Sequence, residues 1–196
     1  MTNISQKWLN GIKILVPFTT GYNSKINGSE LAKINHLPQK TVSRKLNWYC
    51  EMKFLKFKRE GRNKLYYFDL DNASSKILIK IIELYKGLNF LSKYPKIHLL
   101  INDLLKISPV ILFGSYVKGY ATKESDIDLL IIGKSSKRVK DTIKGYPFKI
   151  NAHYSTLENF EKLLHRKNTL AREIAKNHII FSGCEEFVKI LMRYYQ

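Results

Sequence analysis

An α+β fold with two domains is predicted by a change of pattern along the 196-residue chain. The N-terminal third has short helix-like segments followed by an alternating apolar and polar stretch. The C-terminal half has short continuous apolar runs between polar, turn-rich segments. We therefore expect a first domain at residues 1–70, connecting helices at 71–106, and a second domain at 107–196 with a short mixed sheet flanked by helices.

The chain carries a net charge of +18, with 13 basic against 4 acidic residues in the first domain. Such a surface attracts polyanions through counterion release, so nucleic acid is an expected partner. Lysine spread over ordinary solvated faces would give the same charge. No apolar run approaches the ~20 residues of a membrane span, and the start lacks a signal-peptide pattern, so we expect a cytoplasmic protein without a membrane partner. Cys50 and Cys184 lie in unrelated contexts and are expected to be reduced thiols.

The first domain has the order of elements of a winged helix-turn-helix. A helix is predicted over residues 5–16, where Pro17 ends the pattern. Two short helices follow, GSELAKIN from Gly28 and a longer one that begins at Pro38. The stretch FLKFKREGRNKLYYFDL alternates around a Gly-containing turn, which indicates a hairpin. The apolar residues at helical spacing in the first helix are Trp8, Leu9, Ile12 and Leu15.

The second helix of the helix-turn-helix is the expected nucleic-acid reader, because its N-terminal end carries side chains that can reach base edges or phosphates. These are Gln39, Lys40, Thr41, Ser43 and Arg44. The wing adds phosphate-contacting candidates at Lys58, Arg59, Arg62 and Lys64. Winged helices also serve as protein or dimer interfaces. No heptad or exposed apolar stripe in the sequence predicts a dimer, so a homodimer is left open.

The connecting region and the second domain can also be divided into elements. A helix over residues 74–91 has one apolar stripe, formed by Ile77, Ile81, Leu84, Tyr85 and Leu88. A second helix is expected over 97–107. The runs VILFGS, DIDLLIIG and FKINAHYS predict three strands. Ser155 and Glu158 have the form of a capping box, and further helices are expected over 170–177 and 185–195.

The chemistry is concentrated in Gly114 and Ser115, followed after ten residues by Asp126 and Asp128. A glycine at the end of a buried strand lets the backbone approach a phosphate, and the serine adds donors. Residues two apart in a strand face the same way, so the two carboxylates can hold Mg²⁺ together. The alternative is that these residues bind nothing. Asp126 and Asp128 would then be the solvent-exposed start of a strand, with Ser125 as a local cap and a tight turn at Gly114.

The stretch VILFGSYVKGYATKESDIDLLII resembles the motif of the DNA polymerase β superfamily of nucleotidyltransferases. The resemblance implies a polymerase-β-like domain with a two-metal Mg²⁺ site and a nucleoside triphosphate, ATP being favoured. It implies that Gly114 and Ser115 bind the triphosphate and that Asp126 and Asp128 are catalytic metal ligands. Gly119 would turn the loop toward the nucleotide, and Ser125 is assigned to the same nucleotide site. Similar proteins include kanamycin-type enzymes and minimal antitoxins that modify HEPN-type toxins, and the first domain resembles archaeal winged helices fused to such enzymes.

Active members of this superfamily usually have a third acidic residue on a neighbouring strand, in addition to the two that correspond to Asp126 and Asp128. At the position that we align with it, this chain has Asn151. An amide can ligate metal but cannot accept a proton. His153, two residues further on, is a substitute base, a substrate contact or an ordinary structural histidine, and Asp141 and Glu158 are further candidates.

The leading hypothesis is an enzyme that transfers AMP or another NMP to a hydroxyl of protein, RNA or a small molecule. The alternatives are a DNA-binding regulator with a degenerate nucleotide-sensing domain and an antitoxin-like partner of a HEPN-type toxin.

Overall fold

The computed structural model describes residues 11–122 and 124–196. The chain divides into two compact units, one extending to Ile82 together with Tyr195–Gln196, the other comprising Glu83–Tyr194. Within the described ranges no helix has both the length and the apolar character needed to cross a membrane.

The first unit contains helices followed by a hairpin. Residues 11–15 are helical and lead into a 3-10 helix, and the sheet order is β1–β3–β2, with both pairings antiparallel. The elements are the 3-10 helix Val16–Thr20, β1 (Ile26–Asn27), α1 (Gly28–Asn35), α2 (Gln39–Glu51), β2 (Leu55–Glu60) and β3 (Asn63–Phe68). The predicted short helices and hairpin are confirmed. The strand β1 lies in a segment interpreted as a polar loop, and Trp8 and Leu9 lie outside the described residues.

Local chemistry accounts for these boundaries. The Asn27 side chain accepts a hydrogen bond of 2.8 Å from the Glu30 backbone N–H, which caps the start of α1. Pro38 precedes α2, where its fixed φ suits a helix start. Gly61 has a φ of +58° in the two-residue turn between β2 and β3, a conformation that favours glycine. The predicted core residues Val42, Leu46, Tyr49 and Leu55 are all buried.

The long helix α3 (Ala73–Lys93) confirms the predicted connecting helix. It differs from an ordinary amphipathic helix because it carries apolar side chains on its exposed side as well as on its buried side. Leu78, Ile79 and Ile82 are buried. The stripe identified in the sequence lies instead on the exposed side, with Tyr85 half-buried beside it. Because α3 is apolar on both sides, periodicity alone could not show which side faces the core.

The second unit is built on a four-stranded mixed sheet in the order β6–β5–β4–β7. Strands β5 and β6 are parallel, and the other neighbours are antiparallel. The elements are α4 (Pro95–Leu105), β4 (Val110–Phe113), α5 (Ser115–Lys118), β5 (Ile127–Ile132), α6 (Lys137–Lys144), β6 (Ile150–Ser155), α7 (Leu157–His165), α8 (Thr169–Lys176), β7 (His178–Ile180) and α9 (Cys184–Tyr195). The predicted combination of helices with a short mixed sheet and the three predicted strands are confirmed, whereas β7 and α5 were not predicted.

The predicted capping box at Ser155 and Glu158 is wrong. Thr156 caps α7 instead, since its hydroxyl accepts from the Asn159 backbone N–H at 3.1 Å. The Ser155 hydroxyl donates to the Thr156 carbonyl oxygen at 3.0 Å, and Glu158 pairs with Lys162 at 2.6 Å. Strand β6 continues through Ser155, so the helix begins one residue later than a capping box at that serine requires.

The two faces of this sheet have different surroundings. One face carries Leu112, Ile127 and Leu129, which join a core cluster with residues of α4 and with Val139 of α6. Alternation along the strands sends the next residues to the opposite face, and these include Phe113 and Asp128. The polar side chains of the candidate site therefore lie on the face opposite α4 and α6.

A buried ionic cluster joins α3 to β7 within this unit. Glu83, which is fully buried, lies 2.7 Å from the Lys86 Nζ and 3.2 Å from the His178 Nε2. The other ring nitrogen of His178 lies 2.9 Å from the Ile174 carbonyl oxygen. Gly87 permits this approach, because a Cβ there would lie 2.9 Å from the Ile180 carbonyl oxygen.

Candidate active site and nucleic-acid interface

Strand pairing brings the predicted catalytic residues together. Phe113, the residue before Gly114, pairs with Asp128 across β4 and β5, and Asp128 pairs with Asn151 across β5 and β6. Paired residues on adjacent strands project to the same face, so Phe113, Asp128 and Asn151 form one row, and Gly114 follows directly after the end of β4. Asp126 lies immediately before β5. Asn151, the residue aligned in the sequence with the third acid, therefore lies directly opposite Asp128.

Gly114 is required by geometry at the end of β4. Its φ of +76° and ψ of −148° lie in a region that only glycine populates readily. A Cβ placed there would collide with the Asp128 Oδ2 and lie 2.9 Å from its Cγ. The Asp128 carboxylate consequently lies directly against the backbone at the start of α5.

The two carboxylates converge on a single amide group. The Asn151 Nδ2 donates to the Asp126 Oδ2 at 3.1 Å and to the Asp128 Oδ1 at 3.0 Å. The Lys149 Nζ lies 2.9 Å from the same oxygen of Asp126. Hydrogen bonding from Lys149, supported by Asn151, lowers the pKa of Asp126 below its usual range. The ionised form of Asp126 is therefore favoured, and its Oδ2 is shared by Lys149 and Asn151.

The loop between α5 and β5 is organised by its own polar contacts. Ser115 is the first residue of α5 and is partly exposed. Gly119 ends α5 with a φ of +84°, and its N–H donates to the Ser115 carbonyl oxygen at 3.1 Å. The Ser125 hydroxyl accepts from the Thr122 N–H at 2.8 Å. Ser125 therefore closes a local turn directly before Asp126.

Lys149 was not predicted as a site residue, although alternation could have found it. Lys149 directly precedes β6, and Lys149, Asn151 and His153 are spaced two residues apart, so we expect their side chains to share a face. His153 is exposed, and its ring centroid lies 5.6 Å from that of Phe113. The other candidate acids lie elsewhere. Glu158 pairs with Lys162, and Asp141 is on α6, on the opposite side of the sheet.

The donor set fits one Mg²⁺ ion better than two. Across residues 11–122 and 124–196 there is no group of three or more His, Cys, Asp or Glu side chains arranged to hold a metal. The two converging carboxylates are hard oxygen ligands of the kind Mg²⁺ accepts, with water and phosphate oxygens completing its shell, whereas the Asn151 amide faces them with its NH₂ group, which donates and does not ligate a metal. A second ion would lack the third carboxylate that the predicted two-metal site requires.

The predicted nucleic-acid residues of α2 lie along one groove. The groove has a volume of about 760 Å³ and is lined by Pro38, Lys40, Thr41, Ser43, Arg44, Asn47, Trp48 and Glu51. Gln39 is engaged elsewhere, because its Nε2 donates to the Ser29 Oγ of α1 at 2.8 Å. The groove therefore presents two cations, one carboxylate, one amide, two hydroxyls and an aromatic ring.

The basic residues of the hairpin lie on two faces of the ribbon. Arg59 pairs with Lys64 across β2 and β3, so these two side chains share one face. Lys58 is on the other face, 3.3 Å from Glu60, and Arg62 is exposed in the turn. The Lys64 Nζ lies 4.4 Å from the ring centroid of Phe57, a cation–π contact.

A glycine-ended strand beside a strand that carries paired carboxylates, within a mixed sheet flanked by helices, defines the class of nucleotidyl-transferring domains. Comparison with known families agrees with this class. The model of the nucleotidyltransferase domain family matches residues 95–194, just over half of the chain, and the chain belongs to this family. Searches of curated proteins and of solved structures gave no significant match.

Proposed function

We propose that the protein is a Mg²⁺-dependent nucleotidyltransferase that moves a nucleoside monophosphate, with AMP favoured, from a triphosphate to a hydroxyl of protein, RNA or a small molecule. The observation that carries the proposal is the contact of the Asp128 carboxylate with Gly114, beside a second carboxylate held by the same amide. Phosphate-binding backbone and metal-binding carboxylates are thus adjacent, as in-line transfer requires.

The role of each site residue is assigned from the bonds that form and break during the transfer. The acceptor oxygen forms a bond to the α-phosphorus, the bond to the β-phosphate oxygen breaks, and pyrophosphate leaves. Bound Mg²⁺ supplies Lewis-acid stabilisation of the developing charge. Gly114 and Ser115 hold the phosphates through backbone N–H and hydroxyl groups, and Asp126 and Asp128 hold the metal. Asn151 keeps the carboxylates together but cannot accept the hydroxyl proton, so we assign that role to His153.

The direct test is transfer of label from α-labelled nucleoside triphosphates in a cell extract with Mg²⁺. We expect the Asp126→Ala, Asp128→Ala double variant to lose at least about 10³-fold in transfer, because both metal ligands are removed. Asp141→Ala is the matched control, since this acid is exposed on α6 and outside the site, and its transfer should stay at the wild-type level. Equal label transfer by the double variant would refute the proposal.

The alternative function is a nucleotide-sensing regulator or an antitoxin-like partner of a HEPN-type toxin. The Asn151 amide, which we align with the third acid, favours it, because nucleotide can bind without a proton acceptor beside the reacting hydroxyl. Nucleotide binding without label transfer under any condition, in both the wild type and Asn151→Asp, would favour this alternative over the enzyme.

For the N-terminal unit we propose a winged helix-turn-helix that binds DNA or RNA through the α2 groove and the hairpin. Arg44→Ala and Lys40→Ala should each weaken binding to a duplex and reduce the slope of log affinity against log salt by about 1, because each removes one phosphate-neutralising charge. Lys162→Ala, an exposed lysine of α7, is the control and should leave the slope unchanged if binding is confined to α2 and the wing. Equal effects of all three substitutions would indicate diffuse attraction by net charge.

A further inference from the structure

Two aromatic side chains of the first unit are exposed beside basic residues. Trp48 of α2 is 39% exposed, and Phe57 of β2 is 42% exposed. Trp48 lines the α2 groove together with Lys40 and Arg44, and the three residues follow one side of the helix because they are spaced four apart. Large aromatic side chains are mostly buried in folded proteins, so two exposed rings among cations indicate a binding surface.

The exposed ring of the hairpin belongs to the side of the hairpin that contacts α2. The Tyr66 hydroxyl donates to the Asn47 Oδ1 at 3.2 Å, and Asn47 also lines the groove. Phe57 pairs with Tyr66 across β2 and β3, and their ring centroids lie 6.2 Å apart. Arg59 follows Phe57 by two residues and pairs with Lys64, so these side chains share the side of Phe57. The groove and this side of the hairpin therefore adjoin. We call them the aromatic–basic face, which comprises Lys40, Arg44, Trp48, Phe57, Arg59 and Lys64.

The two sides of the hairpin differ in how their positive charge is compensated. On the side away from Phe57, Lys56 lies 2.8 Å from Asp69 and Lys58 lies 3.3 Å from Glu60. Within the part of the chain that the structure describes, no cation of the aromatic–basic face forms an ion pair with an acidic side chain. The aromatic–basic face therefore keeps its positive charge for an anionic partner.

The exposed rings favour unpaired bases over a duplex. In a duplex the faces of the bases are covered by their neighbours, and a tryptophan in the major groove offers a base edge only its indole N–H. An unpaired base can stack on the ring while its phosphates meet neighbouring cations, the usual combination in single-strand binding. The ring of Trp48 is already held, since its centroid lies 5.1 Å from that of Tyr49 and 6.2 Å from that of Phe54. Stacking on it therefore costs little side-chain entropy.

We infer that the aromatic–basic face binds single-stranded RNA, with bases stacked on Trp48 and Phe57 and phosphates at the flanking cations. The inference rests on the proposed nucleic-acid function of the first unit and specifies its partner. RNA fits better than single-stranded DNA, because Thr41 and Ser43 place two hydroxyls in the groove that can hydrogen-bond a 2′-hydroxyl. A free nucleotide fits less well, since most residues of the groove are exposed and a small ligand needs most of its surface buried.

The first test compares four labelled nucleic acids by fluorescence anisotropy with the full chain at about 0.15 M salt. They are an RNA strand of about 12 nucleotides without self-complementarity, the DNA strand of the same sequence, and the two corresponding duplexes. The RNA strand should bind at least about tenfold more tightly than either duplex, and more tightly than the DNA strand, which lacks the 2′-hydroxyl.

Each contrary outcome of this comparison has a distinct meaning. Tighter binding of a duplex would overturn the inference and leave the proposed nucleic-acid function of the first unit intact. Equal binding of the two single strands would overturn the assignment to RNA. If none of the four bound, the proposed nucleic-acid function would fail together with the inference.

The second test removes one ring. Trp48→Ala should weaken binding of the RNA strand at least about fivefold and leave the slope of log affinity against log salt unchanged, because the ring stacks but carries no charge. Trp48→Phe keeps a ring and should stay within about threefold of the wild type. Tyr67→Ala is the matched control, since Tyr67 pairs with Lys56 on the other side of the hairpin, and it should bind as the wild type does.

Circular dichroism establishes that each variant is folded. If Trp48→Ala is unfolded, Phe57→Ala replaces it, with the same expected loss. Wild-type affinity of the folded ring variant for the RNA strand would overturn the inference.

A third readout reports stacking directly. The chain has two tryptophans, so Trp8→Phe leaves Trp48 as its only one. The RNA strand should quench the emission of Trp48 in proportion to the bound fraction, whereas duplex DNA bound at low salt should not. Unchanged emission at saturation with the RNA strand would place the bases away from Trp48 and overturn the inference.

Discussion

Gly114→Ala is expected to reduce label transfer at least about 100-fold, because a displacement of about 1 Å at a reacting centre has an effect of that size. The Cβ would collide with the Asp128 carboxylate, since it would lie 2.9 Å from the Asp128 Cγ. The φ of +76° adds backbone strain of about 1 to 3 kcal/mol. Either the carboxylate or the strand end must move, and both positions define the proposed site.

The measurements are nucleotide affinity in the presence of Mg²⁺ and the rate of transfer. Gly61→Ala separates strain from collision, because Gly61, in the turn between β2 and β3 and outside the site, has a φ of +58° but nothing lies within 4 Å of a Cβ placed there. We expect this control to lose stability and to retain most transfer. If Gly114→Ala transferred label at the wild-type rate, the close contact between the Asp128 carboxylate and the Gly114 backbone would not be needed for transfer.

Glu83→Gln is expected to lower the free energy of unfolding by about 3 to 5 kcal/mol at neutral pH, the usual cost of removing one partner from a buried ion pair. Burial alone would raise the pKa of Glu83, but the charges of Lys86 and His178 outweigh burial and lower it to about 2. Because the carboxylate is fully buried, the variant leaves Lys86 and His178 facing an uncharged group. The same change in the exposed Glu158–Lys162 pair should cost no more than about 0.5 kcal/mol.

The pH dependence has a defined direction. A carboxylate whose folded pKa lies below its unfolded value of 4.5 stabilises the protein fully above that value, and the contribution is lost as pH falls toward about 2. Urea unfolding of wild type and Glu83→Gln should therefore differ most at neutral pH and converge in acid. A difference that persists unchanged to the lowest pH would exclude the ionised carboxylate as its source.

Much of the candidate site was predictable because its chemistry is local in sequence. The alternation of Asp126 and Asp128, and the glycine that ends a buried strand, are fixed by strand geometry and by the absence of a Cβ. The register of β5 and β6 places Asn151 opposite Asp128, while its correspondence to the third acid stays a prediction. Lys149 follows from the same alternation, but its ion pair with Asp126 depends on how the two strands are paired.

The sequence by itself determined the mixed α/β class, the order of helices and hairpin in the first unit, and the nucleotidyltransferase motif, because each depends on contacts within one element or between adjacent elements. Only the tertiary structure decided which side of α3 is buried, since both sides are apolar and the choice depends on what packs against them. It also decided that Glu83 and His178 meet. Residues 95 positions apart carry no local signal of their contact, and burial in a shared core is the physical cause of the pairing.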